Sequence, residues 1–205
     1  LITLGIIGVV AALTIPTLIS NHRRQALESG LKRSYSLVGQ ALNMYQAENG
    51  EPLRSKDIGG GELKPILMKY LTTVKDCGQG SMDPDSCIPN YGAEDERSST
   101  KYKTLTGHSL DLKKFDDGQF VLNDGSLVLI ENQVVGNLFV SVDVNGYNKN
   151  PNRLGQDLFM FEIDYQGKLL PMGAEGSTYY SETDEYCSKT SGNSLNGAGC
   201  TYKAL

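Results

Sequence analysis

Residues 1 to 19 contain no charged side chain, and this run opens a chain that is otherwise polar, with a mean hydropathy of -0.30. Nineteen helical residues rise about 28 Å at about 1.5 Å each, close to the roughly 30 Å hydrocarbon core of a bilayer. The run therefore predicts a helix able to cross a membrane once. A buried core helix is the other way to use such a segment, but no second apolar segment exists to pack beside it. A cleaved secretory signal is disfavoured too, because its apolar region is about 7 to 15 residues long and ends at a small-residue cleavage site.

The pattern instead continues into more helix. From Asn21 the sequence turns polar without a breaker, while Leu27, Leu31, Tyr35, Val38, Leu42 and Tyr45 recur at steps of three and four. That period predicts one apolar stripe on a single helix running to about Asn49, with Gly50 in the place of a C-terminal cap. Pro16 falls inside it and removes one backbone hydrogen bond, so a kink is expected there, eased by Gly5, Gly8, Gly30 and Gly39. Whether Pro16 is an ordinary membrane-helix proline or a site of bending stays open.

Beyond the helix the punctuation changes. Residues 51–61, with Gly59-Gly60-Gly61, read as a linker, and residues 62–71 as a short helix with Leu63, Ile66, Leu67 and Tyr70 on its apolar face. Residues 77–106 read as a loop. Strand signals follow at 119–122 and 126–131 around an Asn123-Asp124-Gly125 turn, then at 138–142, 157–164 and 168–170. The expectation is an α+β fold in which an antiparallel β-meander presents one face to the stripe of the long helix. Three parts result: a transmembrane half of the helix (1–19), an amphipathic half (20–50) and a globular head (51–205).

Leu-Ile-Thr-Leu-Gly-Ile-Ile-Gly-Val-Val-Ala-Ala-Leu-Thr-Ile-Pro, followed by an amphipathic helix ending Ala-Glu-Asn-Gly, is similar to the N-terminal helix of type IV pilins and type II secretion pseudopilins. Further similar stretches are Asn123-Asp124-Gly125-Ser126, residues 142–146, residues 151–157, Cys187, and Gly199-Cys200-Thr201. The resemblance implies a pilin-like fold and a structural subunit of a secretion or type IV pilus-like filament. It implies a single-pass anchor in a bacterial inner membrane, with the head in the periplasm or outside the cell. Implied partners are other pilin or pseudopilin subunits, membrane lipid, and a secretion or pilus assembly platform. In assembly the rod around Gly5, Gly8, Leu13 and Pro16 would bury itself among identical rods. Leader cleavage, N-methylation and a conserved glutamate belong to the family and fall on no residue here. The chain opens inside the apolar run, which reads as truncation at the N-terminus, and its last residues, Tyr202 to Leu205, stop abruptly, which suggests an incomplete C-terminus as well.

Four cysteines decide the compartment. Cys77 and Cys87, then Cys187 and Cys200, form two local pairs within loops rich in turn residues, the pattern of two disulfides in an oxidising compartment. Zinc is disfavoured because the spacing lacks a C-x-x-C knuckle and the only histidines are His22 and His108. Arg23 and Arg24 after the apolar run would place that side in the cytoplasm by the positive-inside rule, in conflict with export. The absent leader, which carries the deciding charges in the family, weakens that conflict. A net charge of -5 gives no support to nucleic-acid binding.

Phosphate-loop, zinc-protease and nucleophile-elbow motifs are absent from the sequence, and His108 sits in a loop-like Thr106-Gly107-His108-Ser109 setting. No enzyme is expected, and Asp116-Asp117 reads as a turn. A membrane-tethered binding or adhesion module, a minor tip subunit and, less favoured, a tethered enzyme remain the alternatives. One constellation carries chemistry: Asp143, Asn145 and Asp157, with Asn148 and Asn152 between them, offer hard oxygen donors in a loop between two strands. Calcium takes six to eight such oxygens, and a site with two carboxylates would bind in the range of about 10⁻⁴ to 10⁻³ M. The same residues also suit an Asn/Gly turn whose aspartates cap their own backbone.

Overall fold

The fold is α+β, as described by a computed structural model: a long N-terminal helix, an antiparallel sheet and loops held by two disulfides. The structure describes residues 2–80, 86–88, 98–132 and 138–205; the side chains of 2–15, 17 and 98–100 lie outside that description.

Helix α1, Ile2–Asn49, runs for 48 residues and continues on both sides of Pro16. Its stripe behaves as its period predicts: Leu31, Val38, Ala41 and Leu42 are buried, and Leu27, Tyr35 and Tyr45 are half-buried. Gly50 closes the helix with a positive φ of 79° and an amide bond to the Gln46 carbonyl. Nearer the middle, Gly30 lets α1 lie against a loop, since a Cβ there would stand 2.9 Å from Val144 Cβ. Among the described residues no helix is long and apolar enough to cross a membrane. The expected span at 1–19, including Gly5, Gly8 and Leu13, falls mostly on side chains outside the description; of its described side chains Pro16, Leu18 and Ile19 are exposed.

Helix α2, Leu63–Tyr70, packs Leu63 and Leu67 into the core and clamps the end of α1, where the Tyr70 hydroxyl donates to Glu48 and Lys69 pairs with the same carboxylate. The intervening 51–61 is no free linker. Leu53 and Ile58 are buried around a 3₁₀ turn at Ser55–Asp57.

Six strands form the main sheet in the order β1-β4-β5-β6-β7-β8: β1 Thr73–Asp76, β4 Gly118–Leu122, β5 Leu127–Asn132, β6 Leu138–Asp143, β7 Leu158–Ile163 and β8 Leu169–Pro171. From β4 to β8 it is the expected meander, with Gly125 at φ 86° in the first hairpin. Strand β1 adds an edge beside β4. The region expected to be loop holds β2 Ser98–Lys103, which pairs with β3 Ser109–Asp111 as a separate two-stranded sheet.

Both faces of the main sheet are covered, which the one-sided expectation missed. One face carries Phe120, Val140, Phe161 and Ile163 against α1 and α2. The other carries Leu127, Leu129, Phe139 and Met160 against Tyr102, Leu112, Phe115, Met172 and Leu195 from the loops. Those loops are stapled by Cys77–Cys87 and Cys187–Cys200, the two expected local pairs. The C-terminal helix α3, Cys200–Ala204, ties the second staple to β7 through the Thr201 hydroxyl, which accepts the Met160 amide.

Replacing Cys187 and Cys200 by serine should cost about 3 kcal/mol, or roughly 6 to 12 °C in melting temperature for a domain this size. An unchanged melting curve would mean that buried Asn196, whose side chain bonds Ser188 and Ser191, holds that loop alone.

Candidate functional site

The loop between β6 and β7 brings the three expected donors together. Asp143 ends β6 and Asp157 directly precedes β7, and both are 0% exposed. The turn between them needs glycine at 146, with φ 83°, because a Cβ there would meet the Gly125 carbonyl oxygen at 2.4 Å. The amides of Asn145 and Gly146 donate to Asp143 Oδ1 at 3.2 and 3.0 Å, and the Tyr102 hydroxyl of β2 donates to its Oδ2 at 2.5 Å. Asp157 accepts the amides of Asn152 and Arg153 at 2.8 and 2.6 Å, and a further bond from the Asn145 side chain. Asn148 departs from the expectation: it is exposed and accepts from Lys101 Nζ.

Every carboxylate oxygen of the pair is therefore already satisfied by the chain. Two other oxygens are not. Asn145 Oδ1 and Asn152 Oδ1 are buried and accept no hydrogen bond, an arrangement that costs on the order of 1 to 3 kcal/mol for each group. Among the described residues neither aspartate has an ion-pair partner. Burial pushes Asp143 up to about 7, with the Asp157 charge adding and the Tyr102 hydroxyl opposing. Burial likewise raises Asp157 against its backbone donors, and lifts Tyr102 well above the ordinary phenol value.

Sequence reading missed a second acidic group. Asp116, Asp117 and Glu131 place carboxylate oxygens within 4.8 Å of one another, because β4 and β5 pair Gly118 with Ile130. Nothing local could have signalled a contact set by strand register. Within the group Asp116 hydrogen-bonds Glu131, Asp117 accepts the Asn132 amide at 2.7 Å, and Lys114 stands 4.0 Å from Glu131. His108 is exposed in the β2–β3 turn, as its setting suggested.

A third feature lies where α1 leaves the head. Arg23, Arg24, Leu27 and Glu28 of the helix face Pro151, Gln156 and Phe159, with Ala204 of α3, across a groove of about 480 Å³. Comparison of the chain with protein-family models, curated proteins and solved structures yields no match.

Raised from an ordinary 3.8 to about 7, Asp143 holds its proton more tightly folded than unfolded. Its contribution to stability is thus full below about pH 4 and lost as pH rises through 7. Asp143→Asn keeps the protonated pattern, since one oxygen can accept both amides. Urea unfolding should show the wild type losing on the order of 2 to 4 kcal/mol relative to this variant between pH 4 and 8. A difference that does not vary with pH would contradict the buried titration.

Proposed function

We propose that the chain is a structural subunit of a pilus- or pseudopilus-like filament, held in a membrane by its N-terminal rod before assembly. One observation carries the reading: a single helix is core over Leu31 to Leu42 and exposed at Leu18 and Ile19. Leu31 and Val38 are sealed against the sheet, whereas Leu18 and Ile19, on the same helix, are 70% and 62% exposed. An apolar rod fused rigidly to a head cannot fold back to hide itself, so it needs lipid, detergent or other rods. Head-to-tail stacking of one rod on the next generates an open helical polymer and requires no catalytic group. Disulfides in the head fit an oxidising compartment. Other subunits, membrane lipid and an assembly platform are the partners of this reading, and neither nucleic acid nor a substrate enters it.

Because α1 supplies Leu31 to Leu42 to the core, the soluble form to test is residues 20–205. It should be a folded monomer that does not co-assemble with the full chain. Leu13→Arg should block membrane storage and assembly while leaving the head folded, at a cost of about 2.5 to 3.5 kcal/mol on insertion scales. Aggregation of 20–205, or a full chain that never crosslinks to other subunits through α1, would remove the reading and favour a tethered binding module.

The β6–β7 loop is proposed in addition as a weak calcium site, on the strength of the two unsatisfied oxygens of Asn145 and Asn152 beside Asp143 and Asp157. A cation there would share carboxylate oxygens that already accept amides, consistent with low affinity. Calcium at ten times its Kd should stabilise residues 20–205 by about 1.4 kcal/mol, or roughly 3 to 6 °C, and Asp143→Asn should abolish the shift. If calcium leaves the wild-type melting temperature unmoved, the loop is a self-capped turn and nothing more.

A further inference from the structure

We propose that the groove at the base of α1 seats the anionic headgroup of a phospholipid. The proposal rests on membrane storage of the rod and names what the head touches there. Its position comes first. The groove opens next to Ser20, directly below exposed Leu18 and Ile19, which are the last residues of the uncharged run.

The groove's chemistry is two-sided. Leu27, Pro151, Phe159 and Ala204 give it an apolar floor, and Arg23 and Arg24 stand on its helical wall. Arg24 reaches Glu28 only at 3.7 Å with its side chain 74% exposed, a loose pair that water screens. Among the described residues Arg23 has no ion-pair partner. Glu28 is the one acidic residue of the lining.

Two guanidinium groups beside an apolar floor match a phosphate that carries acyl chains. Guanidinium binds phosphate oxygens in a fork, and the glycerol and upper chain region can cover the half-buried Leu27, Pro151 and Ala204. A free inorganic anion would satisfy the arginines and leave the floor wet. A second copy of the chain, with a net charge of -5, would supply acidic groups but no reason for the groove to border the apolar run.

The test uses the full chain reconstituted in nanodiscs of phosphatidylcholine alone or mixed with phosphatidylglycerol, released for native mass spectrometry. Phosphatidylglycerol should be retained in preference to phosphatidylcholine by about five-fold for each arginine. The preference should fall to near unity in Arg23→Gln/Arg24→Gln and shrink as salt is raised. Both substitutions lie on an exposed helix face and glutamine is a good helix former, so an unchanged melting temperature will show that the head is intact. Hydrogen exchange at residues 151–159 should slow in the mixed discs and not with inorganic phosphate. Equal retention of the two lipids, retention indifferent to the double substitution, or equal protection by inorganic phosphate would overturn the headgroup site while leaving the filament reading in place. A chain that inserts in neither disc would overturn the membrane reading itself.

Discussion

Burial of the α1 stripe on the sheet is the contact from which the rest of the architecture follows. Leu31, Val38, Ala41 and Leu42 cover one face of β4 to β8, and the Tyr35 ring lies 5.6 Å from that of Phe161 while its hydroxyl donates to the Leu169 carbonyl. Each large apolar side chain sealed this way contributes roughly 1.5 to 3 kcal/mol. The helix is therefore part of the head, and the direction in which its first twenty residues leave is set by the packing of its last twenty. Arg33 against Asp124 and Gly30 against Val144 fix the same docking at the sheet's edge loops.

The opposite face of the sheet is solved differently. Among the described residues no long helix covers it; loops do, and a loop brings backbone polar groups that a helix would have satisfied within itself. Side chains take over that task. Gln119 exchanges bonds with the Ile88 amide and carbonyl, Glu162 accepts the Thr178 amide, and Asp143 and Asp157 accept four amides of the β6–β7 loop. The consequence is carboxylates whose burial raises their proton affinity, with no ion-pair partner for Asp143, Asp157 or Glu162 among the described residues. The disulfides hold the segments that make this arrangement possible.

Where structure is written in short-range periodicity, the sequence revealed it. The α1 stripe, the α2 face, the Asn123-Asp124-Gly125 hairpin and the meander all announce themselves within a dozen residues, and the cysteine pairs lie close in the chain. Long-range features were silent. Strand β5 is buried on both faces, so its Leu127-Val128-Leu129-Ile130 run carries no alternation to reveal a second covered side. Strand β2, in Ser-Ser-Thr-Lys-Tyr-Lys, has one large apolar residue, Tyr102, and that one is fully buried. Gly59-Gly60-Gly61 suggested a linker although Leu53 and Ile58 anchor it. In the candidate loop, composition pointed to Asp143, Asn145 and Asp157, while only the folded loop distinguishes Asn152, whose Oδ1 is buried, from Asn148, which is exposed and bonded to Lys101.

Native-state hydrogen exchange along α1 addresses the shared-core architecture most directly. Amides of residues 31–45 should exchange only through global unfolding, with the same free energy as the amides of β5 to β7. Those of residues 2–20 should exchange far faster in water and become protected only in lipid or detergent. Exchange of residues 31–45 through a lower-energy opening than the sheet would contradict this architecture, because it would mean that the helix is attached to the head without being part of its core.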